Sequence, residues 1–173
     1  MGRKVNTTVT HLEMLGEPAL RCPVPHGKLA LIRAEHPPVH FYRYLYNTIG
    51  RDYFWVTRRK LSDQALAQII QDERVQILVL YDNGVPAGFA ELDLRRMPVA
   101  DLAFLGIMPD FLSKGLGRFL LCETIRTAWM HGPEKMTLQT CTMDHPRALP
   151  LYQRHGFTPC GQEEVVLEEP DDA

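Results

Sequence analysis

The sequence lacks the features that mark membrane proteins, exported proteins and nucleic-acid-binding proteins. Among its 173 residues no apolar run approaches the roughly 20 that a membrane helix needs. The N-terminal stretch has no apolar core of the kind found in a signal peptide. The formal net charge is only −2, so no excess of one sign points to nucleic acid or to an anionic membrane. We therefore expect a cytoplasmic protein that binds neither a membrane nor nucleic acid.

Closely spaced cysteine pairs are also missing. The four cysteines are Cys22, Cys122, Cys141 and Cys160. None belongs to a C-x-x-C motif, so we expect reduced thiols and no metal. Cys141 lies near Asp144 and His145 in sequence, but residues this close along a chain rarely reach the geometry of a nucleophilic triad.

Hydrophobic residues make up 45% of the chain, which is enough for one domain with a substantial core. We expect that domain to span residues 27–173, after an N-terminal extension of residues 1–26 with a possible edge strand at Thr8–Leu15. Apolar runs predict strands at Lys28–Glu35, Val75–Tyr81, Ala87–Leu94, Val99–Ile107, Met136–Thr142 and within Phe157–Glu169. Helical spacing predicts helices near residues 39–50, 63–74, 115–131 and 147–155.

One stretch, Val99–Leu121, combines a buried-type strand with a glycine-containing helix start. Pro109 ends the strand, and Gly115 and Gly117 stand where the helical pattern begins. Glycines there let the unpaired amides of the first helical turn approach an anion, and the helix dipole adds to the attraction. A Walker loop is absent, and Leu120 replaces the third glycine of a dinucleotide fingerprint. We interpret the loop as a cradle for another pyrophosphate.

Two motifs together resemble the GCN5-related N-acetyltransferase (GNAT) family. The loop LSKGLG resembles the family's coenzyme A loop, Arg/Gln-x-x-Gly-x-Gly/Ala. The segment HPRALPLYQRHGF, residues 145–157, resembles its closing motif, Asn-x-Arg-Ala-x-x-Leu-Tyr-x-x-x-Gly-Phe. Two positions depart from the pattern, because Leu112 replaces Arg or Gln and His145 replaces Asn.

The resemblance implies an α/β (α+β) fold with a mixed, mostly antiparallel sheet of six or seven strands and about four helices. The sheet is expected to splay between its fourth and fifth core strands, Val99–Ile107 and Met136–Thr142, with a bulge favoured by Gly106. The acyl chain of acetyl-coenzyme A would lie in that gap, and no metal would be needed. The expected cofactor-binding residues are Ile107, Met108, Leu112, Ser113, Lys114, Gly115, Leu116, Gly117, Arg118 and His145.

The resemblance also implies N-acetylation of a primary amine by direct attack in a ternary complex. Tyr152 would donate a proton to the departing thiolate. Asp101, Glu91 and His145 are the candidates for the base. The acceptor is expected to be a small molecule or a peptide, with an aromatic wall between Phe41 and Trp55. A homodimer is possible, and a non-catalytic acyl-coenzyme A sensor or an interaction module without cofactor are the alternative functions.

Overall fold

A computed structural model of the protein, in which residues 1–171 are described, has one seven-stranded sheet and four α-helices among those residues. The strands are β1 Lys4–Met14, β2 Leu29–Ala34, β3 Val75–Asp82, β4 Val85–Asp93, β5 Val99–Ile107, β6 Lys135–Cys141 and β7 Thr158–Glu168. The helices are α1 Val39–Gly50, α2 Asp63–Ile70, α3 Leu116–Trp129 and α4 Ala148–Arg154, with short 3-10 turns at Arg51–Tyr53 and Pro109–Phe111. No helix in the described part of the chain is long and apolar enough to cross a membrane.

The sheet has the strand order β2-β3-β4-β5-β6-β1-β7, and only the β5–β6 pair is parallel. Both faces are covered by helices, each over its own apolar core. Leu120, Leu121 and Ile125 of α3 are buried on one face. Tyr42 and Leu45 of α1 are buried on the other face, in a core that they share with residues of α2. The mixed, mostly antiparallel sheet predicted from the sequence is therefore confirmed.

The N-terminal strand β1 lies inside the sheet, and the expectation of an edge strand is wrong. It pairs antiparallel with β6 on one side and with β7 on the other, which leaves β7 at the edge. Leu12 and Met14 are almost fully buried, as the alternation of a strand requires. Side-chain alternation identifies the face that a strand buries but carries no information about its neighbours.

The β5–β6 pair separates where the sequence predicts a gap. The two strands pair only from Val99 with Lys135 to Leu102 with Leu138, and the rest of each strand diverges. The bulge in β5 falls at Ala103, because Leu102 pairs with Leu92 while Phe104 pairs with Glu91. The expectation of a bulge at Gly106 is therefore wrong.

Gly106 is needed for packing, not for a bulge. It pairs in register with Phe89. A Cβ atom at Gly106 would collide with Ile49 Cγ2 and lie 3.0 Å from Trp55 Cη2. The missing side chain thus lets α1 and Trp55 pack directly on β5 beside the gap.

A connector without helix or strand, residues 15–28, runs from β1 to β2 and is joined to α3 by a disulfide between Cys22 and Cys122. The Cα atoms of the pair are 6.4 Å apart, and 100 residues separate the two cysteines in sequence. The expectation of reduced thiols is wrong for this pair, because spacing patterns detect only cysteines that are close along the chain. Cys141 and Cys160 are free.

Candidate active site

The separation of β5 and β6 opens a cavity of about 570 Å³, a size typical of small-molecule sites. The diverging strand ends contribute residues 102–107 and 138–141 to its wall. The turn before α3 and the first turn of that helix contribute residues 111–113 and 115–118. An aromatic segment, residues 53–57, and residues from α1, β1, β7 and the β6–α4 region complete the wall.

The glycine loop, residues 112–117, presents free backbone amides at this wall. Gly115 is the N-cap of α3 with φ of +75°, a conformation that favours glycine, and no side chain caps the helix. The first amide to find a helical acceptor is that of Phe119, which donates to the Gly115 carbonyl at 3.3 Å. The preceding amides of Leu116, Gly117 and Arg118 have no acceptor among the described residues, so they are available to an anion.

The amide of Ile107 is directed into the gap. Met108 N–H donates to the Ala87 carbonyl at 2.8 Å, so Ala87 and Met108 form a hydrogen-bonded pair at the end of the β4–β5 ladder. In an antiparallel ladder the amides of successive residues point to opposite sides. Ile107 N–H therefore points away from β4, towards the place where β6 has separated. A carbonyl oxygen lying in the gap could accept from it.

Two of the predicted cofactor-binding residues do not line the cavity, and a third lines it but forms a hydrogen bond with another part of the protein. Met108 is 4% exposed and packs in the core under α1, outside the cavity wall. The Lys114 ammonium is also outside the wall and lies 5.1 Å from the centroid of the Phe111 ring. Arg118 lines the cavity, but its Nη2 donates to the Arg21 carbonyl of the connector at 2.9 Å.

Tyr152 lies on α4 at the cavity wall and is 9% exposed. Its hydroxyl has no hydrogen-bond partner among the described residues. Burial raises the pKa of Tyr152 well above its usual value, and the nearby charge of Asp144 raises it further. The phenol therefore stays protonated at neutral pH, so its proton is available to a bound group, and burial makes it a weaker acid than an exposed tyrosine. Pro150 is accommodated because α4 begins at Ala148, so the proline lies in the first turn, where its missing N–H is not needed.

Glu91, one predicted base, is buried under α1 outside the cavity wall. It accepts hydrogen bonds from the Tyr42 hydroxyl and from Arg58 Nη2, the latter at 2.5 Å. Burial works against the charge of Arg58, but the attraction of Glu91 outweighs it and raises the pKa of Arg58. Burial, with the charge of Glu91 in addition, raises the pKa of Tyr42 well above its ordinary value. Glu91 thus belongs to a buried ion pair and is not among the residues that line the cavity.

Asp101, another predicted base, also lies outside the cavity wall. It is on the half of β5 that still pairs with β6, opposite Thr137, and Thr137 Oγ1 donates to its carboxylate at 2.7 Å. Burial raises the pKa of Asp101, and the hydrogen bond from Thr137 offsets part of that effect. The gap opens only beyond Leu102, which explains why a residue before it does not reach the cavity.

Asp144, which the sequence reasoning did not single out as a base, is a carboxylate at the cavity wall. Its Oδ2 accepts from Thr140 Oγ1 at 2.5 Å and from Cys141 N–H at 2.9 Å. Its Oδ1 accepts from Trp55 Nε1 at 3.4 Å. These bonds hold the carboxylate between the end of β6 and the aromatic segment. The sequence feature that could have identified Asp144 is its position a few residues after β6, one of the two strands that border the gap.

His145 lines the cavity in a tautomer that disfavours it as a base. Its Nδ1 accepts from Arg147 N–H at 3.1 Å, so in the neutral ring the proton is on Nε2. The ring also lies edge-on to Tyr53, with centroids 6.2 Å apart. A free N–H donor suits a polar group of a bound cofactor better than the proton of an attacking amine.

The aromatic wall of the cavity comes from α1, the segment after it and β5. Its members are Tyr46, Tyr53, Phe54, Trp55 and Phe104. Trp55 is central, with its ring centroid 5.1 Å from that of Phe104 and 5.4 Å from that of Tyr46. Tyr42, by contrast, belongs to the core, and Tyr44 is 50% exposed outside the wall. Only part of the predicted acceptor wall therefore faces the cavity.

A sequence model of the family described as acetyltransferase (GNAT) matches residues 42–157, which is more than half of the chain. The chain belongs to the GNAT acetyltransferase family. No curated protein sequence matches it at a significant level. The matched range contains both motifs that carried the resemblance and ends at Phe157, the last residue of the second motif. The family assignment predicted from the sequence is thus confirmed.

Solved GNAT structures have the same fold at low sequence identity. The ribosomal-protein-S18-alanine N-acetyltransferase from Escherichia coli is 19% identical, with a TM-score of 0.63 over 84% of this chain and 97% of that one. An aminoglycoside acetyltransferase from an uncultured soil metagenomic sample is 15% identical, with a TM-score of 0.60 over 73% and 86%. A GCN5-related N-acetyltransferase from Kribbella flavida is 16% identical, with a TM-score of 0.62 over 95% of this chain. This chain spans only 59% of that structure's length.

The two departures from the GNAT pattern both lie at the cavity. Leu112 is 39% exposed and apolar where the family's loop has Arg or Gln. His145 offers an N–H donor where the family's second motif has Asn, whose side-chain amide is also a donor. The first change removes a polar group from the loop, whereas the second keeps a donor in place.

Proposed function

We propose that the protein is an N-acetyltransferase that moves an acetyl group from acetyl-coenzyme A to a primary amine by direct attack in a ternary complex. The observation that carries this proposal is that one cavity is lined by the residues that bear three groups: the free amides of the first turn of α3, the Ile107 amide and the Tyr152 hydroxyl. They are respectively suited to a diphosphate, a thioester carbonyl and a departing sulfur. When bound, acetyl-coenzyme A would supply the activated acyl group.

In this scheme the glycine loop holds the diphosphate and the gap in the sheet orients the thioester. Backbone amides suit the first task because they are fixed by α3 and need no side chain. Ile107 N–H donates to the thioester carbonyl oxygen and so polarises the carbon that the amine attacks. His145 Nε2–H is a further donor at the same wall.

We propose Asp144 as the base that removes a proton from the acceptor amine. An acceptor amine is protonated at neutral pH, so it must lose a proton before its nitrogen can attack. Asp144 attracts the ammonium and takes its proton, directly or through water. When the C–N bond forms and the C–S bond breaks, Tyr152 would supply the proton that the sulfur takes up, and water would return a proton to Tyr152. The aromatic wall favours an amine attached to an apolar or aromatic group, in a small molecule or a peptide.

The test is release of coenzyme A thiol from acetyl-coenzyme A with a panel of amines that ranges from aromatic monoamines to N-terminal peptides. The proposal predicts amine-dependent thiol release and an acetylated product of the expected mass. Stable coenzyme A binding without turnover of any amine would contradict the proposal and favour an acyl-coenzyme A sensor. If coenzyme A neither binds nor raises the melting temperature, the cofactor assignment itself is wrong.

A matched pair of variants at Gly117 tests the role of the glycine loop. A Cβ at Gly117 meets only Ile107 Cγ1, at 3.6 Å, so both Gly117→Glu and Gly117→Gln should fold. A carboxylate in the first turn suits the helix dipole but repels a diphosphate. We expect Gly117→Glu to weaken coenzyme A binding at least about tenfold more than Gly117→Gln, as judged by titration calorimetry. Equal affinities of the two variants would argue against a diphosphate at this loop.

A further inference from the structure

We propose that reduction of the Cys22–Cys122 disulfide creates a zinc site formed by the two thiolates and His155. A ring nitrogen of His155 and the two sulfur atoms all lie within 4.8 Å of one another. The three residues come from the connector, from α3 and from the C-terminal end of α4. This inference does not depend on the proposed acetyl transfer. It also differs from the expectation of no metal, since no spacing motif links residues 22, 122 and 155.

The tautomer of His155 is the one that a metal ligand needs. Its Nδ1 lies 2.7 Å from the Leu151 carbonyl, and because a carbonyl can only accept, Nδ1 carries the proton. Nε2 is then left with a free lone pair, and it has no hydrogen-bond partner among the described residues. Histidines that bind metals commonly donate their other N–H to a backbone carbonyl in this way. His155 is only 7% exposed, so the lone pair is held in a mostly dry place.

The distances and charges suit zinc. With Zn–S of about 2.3 Å and Zn–N of about 2.0 Å, the ligand atoms of a tetrahedral site lie roughly 3.5–3.8 Å apart, within the observed cluster size. Two thiolates cancel the charge of Zn²⁺, which lowers the cost of placing the ion among buried groups. Cys122 and His155 are buried but Cys22 is partly exposed, so the ion has a route from solvent, and a water molecule can take the fourth position.

The disulfide must be reduced before its sulfur atoms can bind a metal, so formation of the zinc site requires an added reductant. A dithiol supplies two electrons and two protons and becomes a disulfide itself, whereas a phosphine supplies two electrons and takes the oxygen of a water molecule, whose two protons go to the new thiols. Binding of Zn²⁺ then releases two protons, because both sulfurs bind as thiolates. Re-oxidation of the thiolates by an added small-molecule disulfide, which takes up the two electrons and is reduced to thiols, would expel the ion, since the protein disulfide offers no thiolate ligand.

The disulfide joins the connector to α3, whereas the metal would hold α4 to these two segments as well, and each of the three segments touches the candidate active site. The connector accepts a hydrogen bond from Arg118 at Arg21, and its Pro25 Cγ lies 4.0 Å from the place of a Cβ on Gly115. The helix α4 carries both Tyr152 and, directly after its last residue, His155. The metal-bound cluster would therefore fix the position of α4 relative to the glycine loop under reducing conditions, in which the disulfide is broken.

The experiment uses Co²⁺ as a spectroscopic probe of the full chain. The protein is reduced with a phosphine, freed of metal with a chelator and titrated with Co²⁺ without oxygen, before and after re-oxidation. We expect one equivalent to bind the reduced chain, with the visible absorption of tetrahedral cobalt and a thiolate-to-cobalt charge-transfer band. We expect neither band for the oxidised chain, and Zn²⁺ should displace Co²⁺. Absence of both bands in the reduced wild type would overturn the proposal.

Three variants define the ligands, with binding as the readout. Cys22→Ser and His155→Asn should each weaken Co²⁺ binding by more than about 100-fold, a larger loss than outer-shell changes produce. Asparagine suits this test because its Nδ2 can replace the Nδ1 donor to Leu151 while the metal-binding nitrogen is removed. The control is a Cys141→Ser, Cys160→Ser double variant, which keeps the cluster and should bind as the wild type does. If Cys22→Ser or His155→Asn, shown by circular dichroism to be folded, keeps both bands, or if the control loses them, the ligand assignment is wrong.

Discussion

The cavity has two walls that differ in what they are made of. The glycine loop and the end of β5 offer backbone amides, fixed by the start of α3 and by the β4–β5 ladder. The facing wall offers side chains, namely the aromatic rings around Trp55 and the carboxylate of Asp144. Under the proposed function, the backbone groups would bind the part of the ligand that is common to every acyl-coenzyme A, whereas the side chains would contact the acceptor. We therefore expect substitutions in the first wall to change the affinity for the cofactor, and substitutions in the second wall to change the rate of reaction with the amine.

The largest effect should come from Tyr152→Phe, which lies between the two walls. Loss of the hydroxyl removes the proposed proton donor, so kcat should fall by about 10²- to 10⁴-fold, the usual contribution of a general acid. Packing against Phe157, with ring centroids 6.2 Å apart, remains possible for phenylalanine. Coenzyme A affinity should therefore change little. Steady-state thiol release and calorimetry on the same preparations measure the two quantities.

The pH profile sharpens this prediction. Because burial raises the pKa of Tyr152 well above its ordinary value, the phenol should not titrate between pH 7 and 10, and wild-type kcat should show no loss from this group in that range. Tyr44→Phe, at an exposed position outside the cavity, is the matched control and should retain wild-type activity. A Tyr152→Phe variant with nearly full kcat would exclude Tyr152 as the donor.

The next largest effect should be on stability, from Glu91→Gln. Glu91 is fully buried and neutralises Arg58, so glutamine would leave the buried guanidinium without its counter-charge. Removing one partner of such a pair costs about 3 kcal/mol of unfolding free energy, or about 6–12 °C in melting temperature for a chain of this size. Calorimetric melting measures the effect. Glu35→Gln, at an exposed position, is the control and should melt within about 1 °C of wild type.

The same variant decides whether Glu91 is a base. Below its melting transition the folded Glu91→Gln protein should keep its kcat to within a few-fold, because the carboxylate lies outside the cavity wall. A loss of activity by 100-fold or more in folded protein would instead restore Glu91 as a catalytic residue. Stability and turnover must therefore be measured at one temperature, well below the transition.

These contrasts also explain what the sequence could and could not predict. The glycine loop, the gap beside Ile107 and the place of Tyr152 follow from local patterns and from two short motifs, and the structure brings all three to one cavity. Asp144 and the Cys22–Cys122 pair depend on tertiary contacts between distant segments. A single sequence does not specify such contacts, because alternation and spacing describe only one element at a time.

A smaller effect, specific to the side-chain wall, is expected from Asp144→Asn. Asparagine Oδ1 can still accept from Thr140 and from Cys141 N–H, so the loop after β6 should keep its conformation although the amide nitrogen cannot replace the acceptor of the long Trp55 bond. The loss of a carboxylate should lower kcat/KM for the amine by about 10- to 100-fold, near the lower end for an acid–base group because water can enter an open cavity. The affinity for coenzyme A should stay within about twofold of wild type.

Another carboxylate at the cavity wall supplies the control for Asp144. Glu163 also lines the cavity, but its side chain is 57% exposed and is paired with His11 at 2.9 Å. Glu163→Gln should therefore change kcat/KM by less than about threefold, since an exposed charge is screened by solvent. If Glu163→Gln were as damaging as Asp144→Asn, the amine would approach from β7 and the assignment of Asp144 would be wrong.

The smallest effect should come from Asp101→Asn, which separates a buried carboxylate from a catalytic one. Because burial raises the pKa of Asp101 in the folded state, the folded chain binds this proton more tightly than the unfolded chain. Stability from this group is thus fullest below the unfolded pKa and is lost as pH rises through the folded pKa. Asparagine avoids that loss and can still accept from Thr137, so we expect a melting temperature about 1–2 °C higher at pH 7 and no difference in acid. Thiol release should stay within about twofold of wild type. A fall of tenfold or more in folded protein would mean that Asp101 reaches the amine through water, although it lies on the paired half of β5. The side-chain wall would then have to include Asp101 as well as Asp144.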